Sequence, residues 1–307
     1  MGKFTWNSAP SLADAATFRK WVQGVHDAFV AAGWVQSADT GQTDIVSLAV
    51  PGTNNTYAGY EVWRLDDTLQ ATVPIFVKVE YGRGGATTAP LLRLSAGSGT
   101  NGSGTLTGVL FAPLSVGNTG VTATEYASYG SGDGSSLCLI LWPGFASTPA
   151  VAFVLDRSRE ANGTPNGSGF LISMSGMSST MKTNVITASG ADPTAGCATS
   201  IFLGYLSFQV NNLAGSTVST LSEDGVTAPV VPIPCFGPGV QPWVTPVVVL
   251  VHPGDAGVST LVDVEIGGVT RTYRAFPLFN ASAGNVGLVS TATGIGYRCF
   301  TAILWED

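Results

Sequence analysis

Charge is what this chain has least of. Only 11% of its 307 residues are Asp, Glu, Lys or Arg, where soluble proteins average about 25%. A freely diffusing protein normally covers itself with charges of both signs. This chain must instead cover itself with Ser, Thr, Asn and Gly, or bury surface against partners. Its net charge is −7, from 13 basic and 20 acidic side chains. No basic run occurs, so the electrostatic footprint of a nucleic-acid binder is missing.

Histidine is scarcer still, with His26 and His252 alone. The four cysteines, Cys138, Cys197, Cys235 and Cys299, are far apart and form no CxxC pair. That spacing argues against zinc ribbons and redox motifs. All but Cys197 sit among apolar neighbours (LCLIL, IPCFG, RCFTA), where a small buried thiol is the default. The longest apolar run, PVVVLV at 246–251, is too short to cross a bilayer. The opening MGKFTWNSAPSLAD has no charged-then-apolar leader, and Trp6 stands where a myristoylation signal needs Ser or Thr. Membrane insertion is not expected.

What is present reads as one helix and many strands. Phe18, Trp21, Val22, Val25 and Phe29 fall on one helical face, Ser11 and Asp14 resemble a capping box, and Gly33 sits where a helix closes. Residues 12–32 are therefore an amphipathic helix lying on something apolar, either the chain's own sheet or a neighbouring subunit. His26 is placed away from the Val22 side, toward solvent. Short β-branched or aromatic runs follow at 44–50, 57–65, 75–81, 91–95, 137–142, 150–155, 169–173, 200–210, 246–252, 260–266, 270–276 and 299–305. Gly267-Gly268 suits a two-residue hairpin turn. Stretches rich in Gly and Ser at 96–104, 127–136 and 161–169 read as loops. The fold class is mainly β, a β-sandwich or jelly-roll-like architecture with one N-terminal amphipathic helix. A single domain over 1–307 is expected.

Motifs that carry chemistry are weak. Gly97, Gly99 and Gly102 satisfy GxGxxG, but a strand-like segment (TLTGVLF) follows where a dinucleotide site needs a helix N-terminus. His252 precedes Asp255 without a GxSxG elbow. Glycan hydrolysis needs two carboxylates about 5–10 Å apart across a cleft. Glu61, Asp66, Asp67, Glu80, Asp263 and Glu265 are the candidates, with Asp263 and Glu265 sharing a strand face. The acids show no EF-hand pattern. The five Asn-x-Ser/Thr sequons lack a leader and read as composition. Seven tryptophans lie mostly near strand ends, where rings fill cores, subunit contacts or sugar platforms. No catalytic residue, cofactor or metal is expected.

The run GYEVWRLDDTLQATVPIFVKVEYGRG (59–84), followed by PLLRLSAGSGTNGSGTLTG (90–108), resembles segments of uncharacterised virion structural proteins of tailed bacteriophages. FRKWVQGVHDAFVAAGWVQSADTGQ (18–42), FVLDRSREANGTPNGSGF (153–170) and the ILWED ending share that texture. The resemblance covers residues 18–170 and transfers no active site. It implies a non-enzymatic virion component, made in the host cytoplasm and associated with tail, baseplate or fibre. Such a subunit is held by other virion proteins and by copies of itself, and a head-decoration protein is a variant of the class. The rival reading is an adhesin module that binds a host surface glycan, and a third is a glycan-degrading tailspike. On the first reading Phe18, Trp21, Val25 and Phe29 form the assembly interface, and Trp243 and Tyr129 are candidate surface contacts.

Overall fold

The computed structural model describes residues 2–8, 12, 14–84, 89–117, 126–142, 151–175, 181–187, 230–237, 240–251, 261–266, 269–277, 280–281, 285–286, 288–290, 296–298 and 300–306. The described residues are mainly β, with one N-terminal helix and three main antiparallel sheets in sandwich-like stacking.

Strand β1 (Gly2–Ser8) leads into helix α1 (Ala15–Ala31). The helix starts later than the sequence pattern suggests because Asp14 is the N-cap. Its carboxylate accepts from the Thr17 amide at 2.9 Å and from the Thr17 hydroxyl at 2.7 Å, satisfying a donor that the first turn leaves open. Ser11 lies outside the described residues. Gly33 follows the helix at φ +80°, the left-handed position anticipated for it.

Sheet I joins β2 (Val35–Gln36), β3 (Thr56–Arg64), β4 (Phe76–Gly84), β5 (Ala89–Thr100) and β6 (Leu106–Gly117) in consecutive order. Sheet II contains β7 (Tyr126–Asp133), β8 (Ser136–Trp142), β9 (Val151–Arg159), β10 (Pro165–Ser175) and β11 (Met181–Thr187), with β1 added beside β7. Sheet III follows β12 (Val230–Gly237), β13 (Val240–Val251), β14 (Leu261–Ile266) and β15 (Val269–Pro277). Two short pairs come next, β16 (Asn280–Ala281) with β17 (Asn285–Val286) and β18 (Leu288–Ser290) with β19 (Gly296–Arg298). The last strand, β20 (Phe300–Leu304), lies between β13 and β15. Sheet I, and sheet II from β7 to β11, run as meanders, each strand pairing with the next in sequence. Ile266 pairs with Val269, as a two-residue hairpin requires, although Gly267-Gly268 lies outside the described residues. So does the expected strand at 200–210.

Two expectations are corrected. Residues 44–50 form no strand. The Asp44 carboxylate accepts from the Val46 amide at 3.2 Å and the Ser47 hydroxyl at 2.7 Å, which turns the chain locally. Conversely, most of the Gly/Ser stretch 127–136 is strand β7. An added Cβ at Gly130 would lie 2.6 Å from the Ala28 Cβ. Glycine is needed there because α1 rests directly on the strand. The other two Gly/Ser stretches also run partly in strands, to Thr100 in β5 and from Pro165 in β10.

Sheet II is the middle layer. On one face Leu137, Leu139, Phe153, Leu155 and Phe170 join a core shared with α1 and with Trp63, Val77, Val79, Leu92 and Leu94 of sheet I. On the other face the Cys138 thiol meets the Val247 carbonyl of sheet III at 3.6 Å, and Tyr129 packs edge-on against Trp305 at 5.6 Å. Burial on both faces explains why β8 reads as a near-continuous apolar run instead of an alternating one. Full burial of a Phe, Leu or Val side chain is worth about 1.5–3 kcal/mol, so this shared core dominates the favourable side of folding.

Candidate functional site

The helical face proposed as an assembly interface is not available to a partner. Phe18, Val25 and Phe29 have no exposed surface and Trp21 is 1% exposed. Trp21 meets Tyr81 edge-on at 6.1 Å, while Phe29 stacks on Trp63 at 5.0 Å and meets Trp34 edge-on at 5.5 Å. The helix therefore docks on its own sheets, which is the other reading of its amphipathic pattern. The two candidate surface aromatics are also corrected. Trp243 and Tyr129 are 6% and 7% exposed. Sheet III covers the face of sheet II to which Tyr129 belongs. The Arg274 guanidinium lies 5.2 Å from the Tyr129 ring and 4.9 Å from Trp305, within cation–π range.

Charged side chains instead gather inside, around the segment Asp156-Arg157-Ser158-Arg159 of β9. Strand alternation sends Asp156 and Arg157 to opposite faces of sheet II. Toward sheet I, Arg157 donates to both Asp67 oxygens at 2.6 and 3.1 Å and to the Val73 carbonyl at 2.9 Å. Its guanidinium also lies over Phe170 at 5.1 Å. Toward sheet III, Asp156 accepts from Thr245 at 2.7 Å and from Arg159 at 2.7 and 3.0 Å. Arg159 further reaches Ser135 at 3.2 Å and Asp133 at 3.8 Å.

The electrostatics follow from that geometry. Burial raises the Asp156 pKa against the pull of Arg159, whose positive charge favours the carboxylate. Burial pushes Asp133 up as well, but Arg159 and the Ser135 and Ser136 hydrogen bonds outweigh it and hold this acid below its ordinary range. Burial lowers Arg157 despite Asp67. These groups bind the layers together, because each ion left without its partner would carry its full desolvation cost.

A second polar cluster joins α1 to sheet I. Glu61, 1% exposed, lies 2.8 Å from His26 Nδ1 and accepts from the Tyr81 hydroxyl and, at 3.3 Å, from the Trp63 indole. His26 is therefore not solvent-facing. It follows Val22 by four residues, just over one helical turn, which puts the two on the same side. Its ring also packs on Trp63 at 5.0 Å.

The outer face of sheet I carries a row that the sequence reading did not assemble. Tyr60, Glu80 and Arg93 are directly opposite one another across β3, β4 and β5. Arg93 grips Glu80 through both oxygens and lies 4.3 Å over Tyr57, while Lys78 sits 4.3 Å over Tyr60. The signal was available in the period-2 alternation of Lys78 and Glu80, but strand register was required to bring Arg93 and the tyrosines alongside.

The remaining candidates separate. Asp67 is bound by Arg157, Glu80 by Arg93 and Glu61 by His26. Asp66 lies 3.6 Å from Arg64, and Asp263 accepts from Thr272 at 2.7 Å. Asp263 and Glu265 do share an exposed side of β14. Gly97 and Gly99 lie within β5, Gly102 is in the turn beyond it, and strand β6 follows. His252 and Asp255 lie outside the described residues. Among the described residues no three His, Cys, Asp or Glu side chains are grouped to hold a metal ion, and no helix is long and apolar enough to cross a membrane. Compared with known proteins, the sequence matches no family model and no curated relative.

Proposed function

We propose that this chain is a structural subunit of a tailed bacteriophage virion, placed in the tail, baseplate or fibre apparatus and acting through protein–protein contacts in a symmetric assembly. One observation carries the reading: a chain with only 11% charged residues turns several of them inward. Arg157, Asp156, Arg159 and Glu61 are all buried and partnered within the chain. The surface is left poorer in charge than the composition implies, which suits a subunit whose surface is covered by neighbours. Symmetric assemblies repeat one modest contact many times, so no single large apolar patch is needed. The resemblance of residues 18–170 to virion structural proteins supports the same conclusion.

The experiment is mass spectrometry of purified particles together with light scattering of the isolated chain. The chain is expected in the particle at a fixed stoichiometry and as an oligomer in solution. A strict monomer absent from particles would overturn the proposal.

The outer row of sheet I favours a second reading, a module binding bacterial surface glycans. Tyrosine rings flanked by Lys78, Glu80 and Arg93 offer both stacking and hydrogen-bonding groups. Glycan-array binding abolished by Tyr57→Ala with Tyr60→Ala would select it. Unchanged binding in that variant, or no binding by the parent chain, would discard it.

A further inference from the structure

We propose that His26 and Glu61 form a proton-operated latch between helix α1 and sheet I, closed most firmly when His26 is protonated. Glu61 projects from β3 into the helix–sheet contact, almost wholly removed from water. Its other two partners, the Tyr81 hydroxyl and the Trp63 indole, are neutral donors and leave its charge uncompensated. A buried carboxylate without a countercharge is costly, and His26 is the cation placed to meet it. The carboxylate raises the His26 pKa through its hydrogen bond and charge, against the opposing effect of burial, with Asp27 adding a smaller push in the same direction. Asp27 itself accepts from Gln23 at 2.7 Å.

Of the titratable groups described around the imidazole, Glu61 comes from β3, Tyr81 reaches the cluster from β4, and Asp27 is on the helix itself. Burial and the neighbouring Glu61 charge hold Tyr81 in its neutral form well past pH 10, so it does not titrate within the latch's range. The folded chain holds the His26 proton more tightly than the unfolded chain does. The stabilisation is therefore complete below about pH 6.5, the ordinary value for histidine, and is lost as pH rises through the raised folded value. Above it, a neutral imidazole can still donate one hydrogen bond but no longer supplies charge. The helix-to-sheet contact is then looser.

Because His26 and His252 are the only histidines, the latch can be isolated. The thermal midpoint of the full chain is measured from pH 6 to pH 8.5 for the parent, His26→Gln and His252→Gln. The parent midpoint is expected to fall by roughly 2 °C for each tenfold difference in proton affinity between folded and unfolded states. His26→Gln removes most of that fall and His252→Gln preserves it. The α-amino group also titrates in this window, but equally in all three. Should His26→Gln fail to fold, NMR titration of the parent imidazoles decides, with His26 expected to titrate above 6.5. Equal slopes in parent and His26→Gln, or a His26 titration at or below 6.5, would overturn the latch.

Discussion

On the face of sheet II that meets α1, Leu137, Leu139, Phe153 and Leu155 pack in a core with Trp21, Phe29 and Trp63. On the opposite face, Asp156 and Thr245 are hydrogen-bonded across the seam to sheet III, with Cys138 and Arg159 close by. The first contact is held by apolar area, which is non-directional and scales with surface removed from water. The second depends on ions whose geometry must be met. A charge-poor chain has therefore not distributed its charges evenly. It uses most of them where two layers must find one register, and gives the helix contact the single pair His26–Glu61 within an otherwise apolar surface.

The sharpest way to break the comparison is to damage each face once. Phe29→Ala in the apolar contact is expected to lose about 3–5 kcal/mol, measured by chemical denaturation. Asp156→Ala at the polar seam is expected to lose nearly as much, about 3–5 kcal/mol, because Arg159 is left buried without its main partner. The faces differ in how they can be rescued. Replacing both Asp156 and Arg159 by Leu and Met should cost far less than Asp156→Ala alone, since apolar isosteres often substitute for a buried pair without loss. No comparable double change would restore Phe29→Ala. A smaller effect is expected from Gly130→Ala, about 1–3 kcal/mol, because the added methyl meets Ala28 and overpacks the contact. Arg93→Met, in the half-buried row that belongs to neither face, should lose about 1 kcal/mol.

Acid titration sharpens the same contrast. Asp133 is held below its ordinary pKa, so its contribution is present above about pH 3.8 and lost as pH falls through the lower folded value. Asp156 is shifted upward and has the opposite sign: its ionisation is disfavoured in the fold. Asp133→Asn should therefore flatten the acid limb of stability, and Asp156→Asn should steepen it. Both are read from the denaturation midpoint between pH 3 and pH 6.

Much of the helical half was legible because its signals are local. The spacing of Phe18, Trp21, Val25 and Phe29 dictates one face, and the strands holding Trp63, Val77 and Leu92 carry their own β-branched and aromatic runs. What covers that face was not legible, since an amphipathic stripe has the same period whether it meets its own chain or another. Strand β7 was hidden because Tyr129-Gly130-Ser131-Gly132 has turn composition, and its glycines serve close helix approach. Residues 44–50 misled in the opposite sense, because Ile45, Val46 and Leu48 read as a strand while the Asp44 side chain bends the backbone. The ion pairs were beyond reach for a plainer reason. Asp67 and Arg157 lie 90 positions apart, and nothing local to either residue names the other.

Strand β1 has a further consequence, for the order in which the chain assembles. It adds to sheet II by pairing Gly2 with Gly132 and Ser8 with Tyr126, so the earliest of these strands to leave the ribosome waits for partners made much later. At ~5–20 residues per second that interval is roughly 6–25 s, long compared with the microseconds in which a local hairpin closes. During this time β1 presents a strand without its native neighbour while sheet I, whose five strands follow one another directly in sequence, can already form.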